Sequence, residues 1–539
     1  MYKYLTIPLF LALLFVGCYE SNKQQKNIFH YNEQSGVASI DPAFAKNQSI
    51  MWAIHQMYNT LVEVDNQLNI KPSLATHWEI SGDKKTYLFY LRDDVFFHDD
   101  ECFPNGKGRK MTAHDVVYSF QRIIDKQTAS PGSWIFNTKV DSANGFSALN
   151  DSTFQLKLKQ PYNPILGILS MQYCSIVPKE AVQKWKSDFR RHAVGTGPFQ
   201  FVAWEEGQAL VLKKNKNYFE RDSTGTRLPY LDGVTVSFFD SKATEFLLFR
   251  QGKLDFINDI DASFKDEVLT KKGTLRKEWA GKIELQTHPY LNIEYLGILV
   301  DSNNELVKNS PTRLKKIRQA INYGFDREKM ILYLRNSIGI PAQSGFVPSG
   351  LPSFDSIAVK GYHYNPTLAR KLIRESGISI QNTPSIKLLT IPIYADMADY
   401  IARQVEEIGL KVQVEVVQKS LLLEMTSNSK ALFFRGSWIA DYPDAENYLS
   451  VFYSKNPAPP NYTRYNNPVF DAVFEKALAE VNDSARYKLY QQADQIMISD
   501  APVVPLWYDV VIHLVQPWVK NFQPNALNLL ELRSVRLTK

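Results

Sequence analysis

Cysteine is scarce in this sequence: Cys18, Cys102 and Cys174 are all it has in 539 positions. So few exclude a disulfide-stapled scaffold, and no Cys-x-x-Cys occurs. Histidine is thin as well, nine residues with none in a spaced cluster, so no metal site and no cofactor are expected. Charge of one sign is lacking. Lys and Arg number 62 against 56 Asp and Glu, scattered along the chain for a net +6, which implies neither nucleic acid nor strong electrostatic steering. Beyond the start of the chain there is no apolar run near the length of about 18 residues that a membrane span needs. Enzyme signatures are missing too: there is no Gly-x-Ser-x-Gly elbow and no His-Glu-x-x-His.

What is present is an ordinary globular balance, 44% hydrophobic and 22% charged, with an aromatic surplus of 13%. At about 150 residues per domain the length allows three or four domains. Strand and helix signals alternate. Lys84 to Leu91 reads as an aromatic strand, and Phe154, Leu156 and Leu158 alternate with polar neighbours. Ala113 to Ile124 reads as a helix, with Thr112 as N-cap and Asp115 three residues on. Pro311 is expected to open a helix through Leu314, Ile317, Ile321 and on to Ile331. Ile401, Val405 and Ile408 fall at helical spacing before Gly409. Leu410, Val412, Val414 and Val416 then alternate as a strand, half of an α/β layer. Pro468 to Met497 reads as two helices joined around Asn482. The class is α/β with some antiparallel sheet.

The start, Met-Tyr-Lys, a short apolar run from Tyr4 to Val16, then Gly17-Cys18, reads as a secretory signal rather than a spanning helix. The ending Phe15-Val16-Gly17-Cys18 resembles a bacterial lipobox, which implies a signal peptide over 1–17 and acylation of Cys18. The mature chain is then expected to be soluble and lipid-anchored on the periplasmic side or surface of the cell envelope. In an oxidising compartment Cys102 and Cys174 either pair or stand as two separate thiols.

Three polar clusters invite a chemical reading. His98-Asp99-Asp100-Glu101 reads as a strand end with an acidic turn, because consecutive residues point in different directions. Asn105 to Lys110 is basic and glycine-rich without P-loop spacing, and reads as an exposed loop. His114-Asp115 opens a helix, where neighbours do not face one partner.

Six segments carry a resemblance. They are Pro72-Ser-Leu-Ala-Thr-His-Trp78 with its continuation to Phe120, Gly195-Thr-Gly-Pro-Phe199, and Pro229-Tyr-Leu-Asp232 with Gly252-Lys-Leu-Asp255. The others are Ile317 to Arg327, Trp438-Ile-Ala-Asp441-Tyr-Pro-Asp444 and Pro502-Val-Val-Pro-Leu506. In this order they resemble the bacterial solute-binding proteins of the oligopeptide and dipeptide type, family 5. One departure is the insert Asp99 to Lys110, where the family has a tight turn. The resemblance implies a two-lobe periplasmic-binding-protein fold, type II, with an extra inserted domain, closing about a hinge. Lobe one would take 18–60, 195–287 and 506–539, the inserted domain 61–194, and lobe two 288–505.

It also implies a peptide ligand, an ABC importer's permease and ATPase subunits as partners, no catalysis, and action as a monomer. Asp441 would take the peptide ammonium and Arg435 the carboxylate. Ser437 to Ile439 would offer a backbone edge, with a second edge near Lys46, Asn47 and Gln48. Trp438 would wall a side-chain pocket, and Tyr58 is a further wall candidate. Family members also bind nickel complexes, haem and oligosaccharides. A secreted hydrolase and a sensory lipoprotein are the other readings. A hydrolase would need two nearby acids, and 56 Asp and Glu supply many pairs.

Overall fold

A computed structural model describes residues 27–141, 144–379 and 384–539. The signal segment 1–17 and Cys18 lie outside the described residues. In chain order the chief elements begin with β1 (Ile28–Asn32) and α1 (Gln48–Met57). Then come β2 (Ala75–Ile80), β3 (Thr86–Leu91), α2 (Ala113–Ile124), β4 (Phe146–Asn150) and β5 (Thr153–Lys157). The chain continues through β6 (Phe199–Glu205), β7 (Ala209–Lys214), β8 (Gly233–Ser237), β9 (Phe256–Asn258) and β10 (Glu284–Ile298). It closes with β11 (Ile386–Thr390), α3 (Ala395–Glu407), β12 (Val412–Val416), β13 (Phe433–Ile439) and β14 (Val503–Val515).

One mixed sheet runs through the molecule in the order β12-β11-β13-β10-β14-β9-β1-β8-β7-β6. The two-lobe form comes from its two longest strands. β10 and β14, of 15 and 13 residues, pair antiparallel along nearly their whole length. One end of the pair belongs with β9 and β1, and the other with β13 and β11. Their ladder shifts register between Pro289 and Ile293 and again between Glu294 and Tyr295, irregularities that bend and twist a strand pair locally.

A separate four-stranded antiparallel sheet, β2-β3-β5-β4, lies between α1 and β6 in sequence. Alternation in β3 buries Tyr87, Phe89 and Leu91. Phe89 packs on Phe154, and Phe120 of α2 meets Phe154 edge-on at 5.5 Å between ring centroids. Part of the aromatic surplus therefore builds this core. Lys84 is not part of the strand: it turns at φ 58°, and pairing starts at Thr86. α2 starts where the sequence places it, with the Asp115 carboxylate accepting the Thr112 backbone N–H at 2.9 Å.

The helix expected from Pro311 to Ile331 is instead three pieces, Pro311–Arg313, Lys315–Tyr323 and Arg327–Arg335. Leu314 is extended, and Asp326 caps a new start by accepting from Lys329 N–H. The α3–β12 unit forms as read, with Ile401 and Val405 buried and Gly409 turning at φ +105°. Burial fades along β12, from Val412 buried to Val416 exposed, because that strand is the sheet's edge.

Cys102 and Cys174 are both free thiols. Of the two readings left open for them, the structure gives the second. Cys174 is buried, with its sulfur 3.4 Å from the Ile168 carbonyl.

Candidate functional site

A cavity of about 860 Å³ opens between α1, the stretch 131–175, the end of β13 and the C-terminal stretch 525–534, a size typical of small-ligand pockets. α1 and the segment behind it supply one wall. Trp134, Met171 and Tyr173 supply a second, and Tyr290, Ile439 and Asp441 come from lobe two.

α1 is positioned from its far end by glycines. A Cβ on Gly195 would sit 2.1 Å from the Met57 carbonyl oxygen, and one on Gly197 would sit 2.4 Å from the Met57 carbonyl carbon. The Gly195-Thr-Gly-Pro motif is thus a close backbone contact against the end of the cavity helix. His98 locks that contact. Its Nδ1 accepts from Gly195 N–H at 3.4 Å, so its Nε2–H donates to the Gly197 carbonyl at 2.9 Å. Burial pushes the imidazole down to about 4. His98 is therefore a neutral strut. Its neighbour Asp99 pairs with Lys107 at 2.7 Å.

The insert 99–110 is tied down rather than loose. Arg109 holds Asp115 at 2.7 Å and Glu180 at 2.7 Å. None of its residues lines the cavity.

β13 decides the fate of four expected site residues. Arg435, Ser437 and Ile439 share one face and Trp438 points to the other. Ile439 and the following Asp441 reach the cavity. The Asp441 carboxylate has no ion pair among the described residues; its contact is Asn447 Nδ2 at 3.5 Å. The residue is solvent-exposed, while the protein atoms crowding its carboxyl raise the pKa.

Trp438 is not among the residues lining this cavity; it is partly buried against the neighbouring hydrophobic core, with Nε1–H donating to Asn447 at 3.0 Å. Arg435 lies about 13 Å back along the strand from Ile439, also outside this lining. There it holds Glu294 at 2.6 Å and stacks 4.0 Å over the Tyr394 ring. Its charge is already matched by a carboxylate two positions along β10 from its ladder partner Leu296.

Ser437 keeps the backbone role open. β11 pairs with β13 only at Phe433 and Phe434, so 435–439 has no strand partner on that side among the described residues. Asn47 lines the cavity, but its side-chain oxygen caps α1 by accepting from Ile50 N–H at 3.1 Å. Tyr58 is floor rather than wall, with 1% of its surface exposed.

Sequence reasoning missed a charged network on the lobe-one wall. Arg533 grips Glu63 with two bonds of 2.9 Å, Glu220 at 2.7 Å and Glu531 at 3.3 Å. His55 holds the other oxygen of Glu531 at 3.0 Å. Burial pushes the Glu531 carboxyl up, but Arg533 and His55 outweigh it and hold it at about 2. Burial takes Glu220 the other way, to about 7. These residues are far apart in sequence, and no spacing pointed to them.

Residues 69–460 match the model of the bacterial extracellular solute-binding proteins, family 5. The chain belongs to that family. The periplasmic oligopeptide-binding protein OppA of Salmonella typhimurium is 26% identical to it over 91% of this chain and 89% of that protein. Heme-binding protein A of Haemophilus influenzae is 27% identical over 93% of this chain and 91% of that protein. Among solved structures, the ABC transporter-associated periplasmic binding protein DppA from Helicobacter pylori, in complex with the peptide STSA, superposes with a TM-score of 0.75. It is 25% identical and covers 95% of this chain and 98% of that one. The two-lobe fold of periplasmic binding proteins is thus the fold of this chain. Among the described residues no helix is long and apolar enough to cross a membrane.

Proposed function

We propose that this protein captures peptides in the cavity between its lobes and delivers them to an ABC importer, held to the membrane by lipid on Cys18. The chain divides as lobe one (18–60, 195–287 and 506–539), an inserted domain (61–194) and lobe two (288–505). It acts as a monomer, and the solute leaves unchanged.

One observation carries the reading: Asp441 presents to the cavity a solvent-accessible carboxylate with no ion pair among the described residues. A carboxylate left without a counter-charge can take a charge-assisted hydrogen bond from a cation, and a peptide's amino terminus supplies one. The open edge of β13 beside it offers backbone hydrogen bonds to an extended chain. The peptide-binding relatives and the neighbour holding STSA agree in kind.

Titration calorimetry of tri-alanine against its N-acetyl form tests this. The free peptide is expected to bind, and acetylation or Asp441→Ala to weaken binding by about 2–5 kcal/mol. Equal affinity of the free and acetylated forms, or haemin binding where peptides do not, would reject it.

A further inference from the structure

Seven acidic, basic or histidine side chains line the cavity: Lys46, His55, Glu63, Asp65, Asp441, Glu531 and Arg533. Five are engaged with one another or with a neighbour. His55 holds Glu531, Arg533 holds Glu63 and Glu531, and Asp65 meets Lys71 at 3.4 Å. That leaves Asp441 on lobe two and Lys46 on lobe one, of opposite sign, without an ion pair among the described residues.

Two carboxylates that line the adjoining groove together with Lys46 are also occupied. In the adjoining groove Asp41 takes a two-bond grip from Arg122 at 3.1 and 2.8 Å. Asp125 accepts from Thr128 N–H and Oγ1–H, both at 2.9 Å. The Lys46 backbone is fixed, with its N–H donating to the Phe44 carbonyl at 2.7 Å, while its side chain is exposed. Asn47 and Gln48, at the N-terminus of α1, line the same cavity. The positive end of that helix adds to the pull on an anion. Arg435, the expected carboxylate site, is bound by Glu294.

We propose that Lys46 receives the carboxylate of the bound peptide, so that the ligand's two ends tie lobe one to lobe two. This rests on the peptide reading above. It differs from the Arg435 expectation in which lobe holds the carboxyl end.

The test is calorimetry of tri-alanine, its C-terminal amide and its N-acetyl form on the full chain and on Lys46→Met and Arg435→Met. Thermal unfolding checks that each variant is folded. Should Arg435→Met not fold, Arg435→Lys takes its place. Amidation is expected to weaken binding to the unaltered protein at least tenfold. Lys46→Met should weaken the free acid at least tenfold and the amide less than threefold. The Arg435 variant should keep the full amidation penalty. An amidation penalty that survives in Lys46→Met, or that vanishes in the Arg435 variant, overturns the assignment. If amidation is silent but acetylation is not, Lys46 fails and Asp441 stands. If none of the three peptides binds, the peptide reading falls and this one with it.

Discussion

Arg435 shows how one side chain can be claimed by its own fold. The guanidinium and the Glu294 carboxylate are both largely buried, with 12% and 4% of their side chains exposed. Burial alone would favour the neutral acid at Glu294; Arg435 opposes that. Removing one partner leaves a buried charge alone, which costs about 3–5 kcal/mol. Arg435→Met should therefore lose stability on that scale in urea unfolding while binding tri-alanine almost as before. A stable variant with lost affinity would return Arg435 to the binding site. Asp441 is the opposite case, a carboxylate the fold leaves without a counter-charge, and its substitution should spare stability and cost affinity.

Elements show where sequence reading succeeds and where it stops. The His98 strut gives an element-scale prediction, since it joins the insert region to the Gly195–Gly197 loop over the end of α1. Its folded pKa, about 4, lies below the ordinary value of 6.5. The neutral form is thus the one the fold favours. Its stabilising contribution is complete above about pH 6.5 and is lost as pH falls toward 4, on the order of 2–3 kcal/mol in all. His98→Gln, which retains a donor but does not titrate, should flatten that part of a stability-against-pH curve. An identical slope in both proteins would show that His98 is not the group responsible.

Local signals placed α2, the α3–β12 unit and the aromatic strands well, because capping and periodicity are set by near neighbours. They also singled out Ile439 and Asp441, which line the cavity. What they could not supply is the facing strand. The pleat turns Trp438 into the core, and β10 brings Glu294 to Arg435, a pairing between residues 141 positions apart. The Arg533 network depends likewise on Glu63, Glu220 and the C-terminal segment converging.

At the scale of the whole molecule, the segment that follows β5 touches the stretch that follows β13. Tyr162 bonds Tyr442 at 3.1 Å and Glu446 at 3.1 Å, and Tyr442 also donates to Glu446. Tyr442 is 3% exposed and follows Asp441 directly, so the carboxylate proposed to take the ligand sits next to this contact. Removing one hydroxyl that bonds a buried acid costs about 1.5–3 kcal/mol of closed-state stability. Tyr162→Phe should therefore raise the radius of gyration of the ligand-free protein in solution scattering, with tri-alanine restoring the smaller value. No change between the two proteins would mean that this contact does not hold the lobes together.

The central claim is that the cavity between the lobes holds a peptide by its charged ends. Native mass spectrometry of the protein as isolated, with fragmentation of whatever is released, tests it most directly. The account predicts a set of released masses that sequence as short peptides with unmodified amino and carboxyl termini, depleted in Asp441→Ala. A single non-peptide mass, haem or another solute, retained by both proteins alike, would contradict it.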